Sequence, residues 1–130
     1  MGKYQKTSSF WRSFGQAYRG ILYSWKTQRH LQVHIFAASC VLAAAWWSRL
    51  SRVDWVLLLF AIGSVIAAEV MNTAVEIVVD LVQPNFHPLA GMAKDVAAGA
   101  VLVTAIQAVI VGIIVLGPSF FRWVTHFLVN

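Results

Sequence analysis

Four polar residues interrupt the long apolar stretch of residues 53–82: Glu69, Asn72, Glu76 and Asp80. On a helix, at about 100° per residue, they fall at about 0, −60, −20 and +20° relative to Glu69, a single narrow stripe. Carboxylates so placed can take a proton from a hydroxyl or hold a hard cation. An ionisable side chain inside a bilayer is costly enough that a stripe of them marks a working site. Downstream, a loop spanning residues 83–95 contains Pro84, Pro88 and Gly91 and delivers Lys94 and Asp95 to the start of the next apolar stretch. A lysine at a helix N-terminus suits a phosphate group, as it also suits plain anchoring at a membrane boundary, and Asp95 can cap the helix.

The elements that carry these residues must be membrane helices. Of 130 residues, 59% are hydrophobic and 12% charged, too little polarity to cover a soluble domain. A helix needs roughly 20 apolar residues to span a bilayer, and three stretches qualify: residues 31–47, 53–82 and 96–116. Ahead of them, residues 8–27 carry Phe10, Phe14, Ala17, Ile21 and Trp25 at helical spacing, with Arg12, Arg19 and Lys26 on the opposite face. That pattern predicts an amphipathic helix lying on the membrane. The expected fold is therefore an all-α membrane protein, one domain over residues 1–130, with an N-terminal surface helix and three transmembrane helices.

Smaller signals refine this outline. Trp46, Trp47 and Trp55 bracket the first short loop as interfacial belt residues. Ala97, Ala98, Gly99 and Ala100 leave room for close helix contact and mark an interface. Residues 118–130, after Pro118, predict a second interfacial helix that anchors the chain. Cys40, the single cysteine, excludes a disulfide pair and reads as a small packing residue. His30 and His34, one turn apart, read as interfacial residues, and the four histidines form no metal-ligand spacing.

Charge sets the orientation. Lys3, Lys6, Arg12, Arg19, Lys26 and Arg29 precede the first span, while no acid occurs before Asp54. The positive-inside rule puts the N-terminus and the loop of residues 83–95 in the cytoplasm and the C-terminus outside. A nucleic-acid partner for the basic run is disfavoured, because its other face is aromatic. The segment before residue 31 is too long for a signal-peptide n-region, so no cleavage is expected.

A helix over residues 53–82 would be about 45 Å long against a hydrocarbon core of about 30 Å, so its cytoplasmic end must project. Glu69 then lies at lipid-headgroup depth, and Glu76 and Asp80 stand where a soluble ligand arrives. Two classes of function fit: an enzyme acting on a membrane alcohol with Glu69 as base, or a cation or proton conduit. Against the conduit, the stripe stops at Glu69 and the rest of the helix is apolar. No GxxxxGK[ST], HExxH or GxSxG motif is present to suggest other chemistry.

The run Glu69-Val-Met-Asn72-Thr-Ala-Val-Glu76 followed by Asp80, with Ala93-Lys94-Asp95-Val-Ala-Ala-Gly99-Ala-Val-Leu102, resembles the small bacterial integral-membrane diacylglycerol kinase and undecaprenol kinase family. The resemblance extends over roughly residues 14–116. It implies a homotrimer in the bacterial plasma membrane, with composite active sites between subunits. The reaction it implies is transfer of the γ-phosphate of magnesium ATP to the primary hydroxyl of a membrane lipid alcohol. By position, Glu69 matches the base, Glu76 a Mg2+ ligand, and Lys94 the cation on the ATP phosphates. Asp95 and His87 match nucleotide-side residues, while Asn72, Asp80 and Trp25 match supporting or lipid-side residues.

One position departs from the family pattern. Gln28 stands where a second metal-binding glutamate is expected, and a neutral amide should hold Mg2+ more weakly than a carboxylate does. Asn72-Thr73-Ala74, His34 and Ala97-Ala98-Gly99-Ala100 resemble the undecaprenol kinase branch more than the diacylglycerol kinase branch. The expected alternatives to an active kinase are an impaired family member or a non-enzymatic membrane protein.

Overall fold

The computed structural model describes residues 10–129, all of them in helices or short connections. Four helices follow in order: α1 (Phe10–Thr27), α2 (Arg29–Trp47), α3 (Arg52–Val82) and α4 (Pro88–Val129). Ser8 and Ser9, where the surface helix was expected to begin, lie outside the described residues, as do Lys3, Lys6 and Asn130. Helices α2, α3 and α4 are each long and apolar enough to cross a membrane, as the composition requires. α1 is strongly amphipathic and leaves Phe10, Phe14 and Ile21 exposed, on the face expected to enter the acyl boundary.

Single residues decide where the helices stop. Gln28 adopts an extended conformation (φ −106°, ψ 109°) and separates α1 from α2. The break costs few hydrogen bonds, because the Gln28 N–H still donates to the Ser24 carbonyl and its own carbonyl accepts from Gln32. At the opposite end, α2 and α3 are joined through Arg49, which sits at φ 49° in the left-handed region that side chains disfavour. Ser51 then starts α3 with a capping box: its side chain accepts from the Asp54 N–H, and the Asp54 carboxylate accepts from the Ser51 N–H. Next to this turn Ala45, Leu58 and Val115 form a small core, with Val41, Trp55 and Val111 packed around it.

α4 differs from expectation at both ends. It begins at Pro88, about two turns before the predicted start of the third span, since proline is preorganised for the first helical position. His87 supplies the cap, its Nδ1 accepting the Leu89 N–H at 3.2 Å. Lys94 and Asp95 therefore lie inside the helix, so neither the N-terminal phosphate site nor the capping role of Asp95 holds. At the other end α4 runs through Pro118 without stopping, and residues 118–129 are its continuation rather than a separate interfacial helix. Proline there removes only the hydrogen bond to the Ile114 carbonyl, a loss that membrane helices tolerate.

The α2–α3 turn generates a pair of opposed expectations. Arg49→Gly relieves the left-handed strain and should raise stability by up to about 1 kcal/mol, whereas Ser51→Ala should lower it by about 1 kcal/mol. Thermal unfolding in detergent measures both.

Candidate functional site

The face that α3 turns toward its neighbours carries Leu58, Ala61, Val65, Glu69 and Thr73, spaced three or four residues apart. An apolar seam thus continues into a carboxylate, and Glu69 is only 3% exposed. Thr73 consumes its own polarity by donating to the Glu69 backbone carbonyl at 3.0 Å. The Glu69 carboxylate is met by α2, where His34 Nε2 lies 3.3 Å from Oε1. The sequence reading had taken His34 for an interfacial residue. Counting from the α2–α3 turn exposes the pairing: His34 stands about 21 Å along α2 from Ser48 and Glu69 about 25 Å along α3 from Arg52, less than one helical turn apart in depth.

Two turns further along α3, Glu76 is held between two amides. Gln28 Nε2 donates to its Oε2 at 3.1 Å, and Asn72 Nδ2 donates to its Oε1 at 3.0 Å. The break at Gln28 is what makes this possible, because it turns the junction of α1 and α2 toward α3. Asn72 presents its Nδ2 to the carboxylate and is left with Oδ1 buried and without a hydrogen-bond partner. An orphaned acceptor of this kind is uncommon in folded proteins and calls for a ligand or a water.

Asp80, one turn beyond Glu76, is exposed and pairs with Lys94 of α4, Nζ to Oδ1 at 2.5 Å. The pair places a mobile cationic head beside the acidic end of the stripe. His87 is exposed at the α3–α4 connection and lines a small pocket with Val79, Gln83 and Leu89. Trp25 sits three residues before Gln28 with its ring partly exposed, while its carbonyl accepts from Gln32 Nε2 at 2.9 Å. Asp95 is exposed, and among the described residues no hydrogen bond or ion pair engages its side chain. The structure therefore brings Gln28, Asn72 and Glu76 into one cluster, sets Asp80 and Lys94 next to it, and leaves Asp95 apart.

Among the described residues no three His, Cys, Asp or Glu side chains gather into a metal cage. The oxygen donors that do gather are Glu76, the unpartnered Asn72 Oδ1 and, after rotation of its amide, Gln28 Oε1. Below this cluster an apolar open groove of about 1060 Å³ runs between α2, α3 and α4, lined by Val41, Val65, Ala105, Val109 and Ile113 and reaching His34.

The family model for prokaryotic diacylglycerol kinase matches residues 15–116. Undecaprenol kinase of Bacillus subtilis is 41% identical over 110 residues, which cover 85% of this chain and 89% of that protein. A diacylglycerol kinase of Synechocystis is 45% identical over 101 residues, 77% of this chain but 58% of that longer protein. The diacylglycerol kinase of Escherichia coli K12 is 30% identical over 109 residues, 84% of this chain and 89% of that protein.

The Asp80–Lys94 pair is solvent-exposed on both sides, and such pairs contribute less than about 1 kcal/mol to stability. Asp80→Asn should accordingly leave the thermal unfolding temperature nearly unchanged, a result that would show the pair is not needed for folding.

Proposed function

The chain belongs to the prokaryotic diacylglycerol kinase family, and from that premise we propose that this lipid kinase transfers the γ-phosphate of magnesium ATP to the primary hydroxyl of undecaprenol. The observation that carries the reading is the division of the α3 stripe. Glu69 is buried against α2, and Glu76 lies about 10 Å further along the axis toward the exposed Asp80, bracketed by amides.

In this reading the Glu69 carboxylate accepts the proton of the lipid hydroxyl as the oxygen attacks the γ-phosphorus and ADP departs. Phosphoryl transfer asks little covalent work of a protein and depends on positioning and charge neutralisation. Lys94 contributes a cation to the nucleotide phosphates by exchanging Asp80 for them. Asp95 and His87 serve the nucleotide side, with His87 also holding the start of α4. Asp80 and Trp25 support the nucleotide and lipid ends respectively.

Glu76, Asn72 Oδ1 and the Gln28 carbonyl are the side-chain oxygens that would hold Mg2+, which neutralises charge on the phosphates when bound. One carboxylate with neutral oxygens and retained waters is within the ordinary chemistry of that ion, so the residues fit it. The orphaned Asn72 acceptor supports this assignment.

The preference for undecaprenol over diacylglycerol rests on Asn72-Thr73-Ala74, His34 and the small residues 97–100, and is compatible with relatives that carry both names. A homotrimer with shared sites follows from the family resemblance, and the small residues Ala97, Ala98, Gly99 and Ala100 would permit close helix contact with another copy. The basic N-terminal segment supports a cytoplasmic active site in the bacterial plasma membrane, with the C-terminus outside.

Purified protein supplied with labelled ATP and either lipid alcohol should phosphorylate undecaprenol in preference to diacylglycerol, and transfer to neither would reject the reading. Glu69→Gln should abolish transfer, because the amide cannot accept the proton. Gln28→Glu should lower the Mg2+ concentration for half-maximal activity, since it adds a carboxylate beside Glu76; an unchanged titration would remove position 28 from the metal site.

A further inference from the structure

Among the described residues, His34 is the polar side-chain neighbour of the Glu69 carboxylate, and it also lines the apolar groove between α2, α3 and α4. These are two separate facts about one side chain. The first joins it to the proposed base, and the second puts it where an apolar molecule in the groove would meet polarity. From His34 to Ser48, at the far end of the groove, is about 21 Å along α2, and the side chains lining that length are mostly small or aliphatic. Glu69 itself is almost wholly covered, so its neighbour decides which way its oxygens point.

We propose that His34 is a positioning residue for Glu69: its Nε2, 3.3 Å from Oε1, constrains the carboxylate's rotamer and leaves the other oxygen for the lipid hydroxyl. The inference rests on the kinase reading and deepens it. The 3.3 Å separation is that of a close ion-pair contact, and because a carboxylate has only acceptor sites, His34 would restrain it through the form that carries a proton on Nε2. The pair is within ion-pair range without hydrogen-bond geometry, and contacts in substrate-free catalytic sites are often loose in this way. His34 is half-buried at the helix interface, which limits its own rotamers and lets it transmit that constraint to Glu69.

The assignment separates geometry from mere packing. A misplacement of about 1 Å at a reacting group can cost on the order of 100-fold in rate, whereas nucleotide binding around Glu76 does not pass through His34. Two measurements on the purified protein in lipid bilayers test it. In the first, His34→Leu should lower kcat for the lipid alcohol by roughly 10- to 100-fold while the KM for magnesium ATP stays within about twofold, and His34→Gln, which restores an N–H at similar reach, should recover most of the loss. A His34→Leu protein with full kcat, or a Gln variant as impaired as the Leu variant, overturns the proposal.

In the second, 15N-histidine NMR of the substrate-free protein should find Nε2 of His34 protonated, with a resonance that moves on Glu69→Gln while those of His30, His87 and His126 do not. An unprotonated Nε2, or one indifferent to Glu69, overturns it even if the Leu variant is unstable. Failure of the kinase reading registers differently: the unaltered protein would then phosphorylate neither lipid, whatever the state of His34.

Discussion

A carboxylate only 3% exposed has to be met from within the protein, and the arrangement of this chain follows from meeting Glu69. A buried carboxyl without a polar neighbour is costly, the more so in a membrane helix. α3 therefore turns Glu69 into the seam it shares with its neighbours, and α2 brings His34 to the same depth. The short α2–α3 turn, with its strained Arg49 and its capping box, sets the register in which the two helices face each other. Below Glu69 the seam is apolar, and above it the stripe passes from half-buried Asn72 and Glu76 to exposed Asp80.

Helix length converts that gradient into a division of labour. α3 has 31 residues, about 46 Å, and α4 has 42, about 63 Å, so both outreach the hydrocarbon core of about 30 Å. The excess provides rigid, helical scaffolding for Glu76, Asp80 and Lys94, which would otherwise have to be carried on loops. Lys94 benefits directly: set inside α4 rather than on a loop, it meets Asp80 across a helix pair. The amphipathic α1 closes this assembly from the membrane surface, delivering Gln28 to Glu76 through a one-residue break.

Much of this was legible in the sequence because hydrocarbon imposes strong regularities. The three spans, the surface helix and the α3 stripe all follow from periodicity and length, and the structure keeps α1, α2 and α3 within a few residues of expectation while α4 runs on at both ends. Three features were not. The start of α4 at Pro88 was obscured because Pro84, Pro88 and Gly91 look alike as loop punctuation, although proline also opens helices. The passage of α4 through Pro118 was hidden by a rule drawn from water, where an interior proline is more disruptive. The meeting of His34 with Glu69 depends on two helices at once and emerges only when depths are counted from their shared turn. Gln28 lay between: its place near Glu76 was expected by resemblance, while its second role as the helix break was not.

The capping box has a consequence for how the molecule responds to chemistry from outside. The chain holds five acidic residues, and Asp54 is the only one outside the interval from Glu69 to Asp95. Asp54 is engaged by the Ser51 backbone N–H and hydroxyl. The two exposed side-chain carboxyls, Asp80 and Asp95, lie at one pole of the protein, so that a carboxyl-directed reagent becomes, without any designed selectivity, a reagent for the end of the α3 stripe and its surroundings.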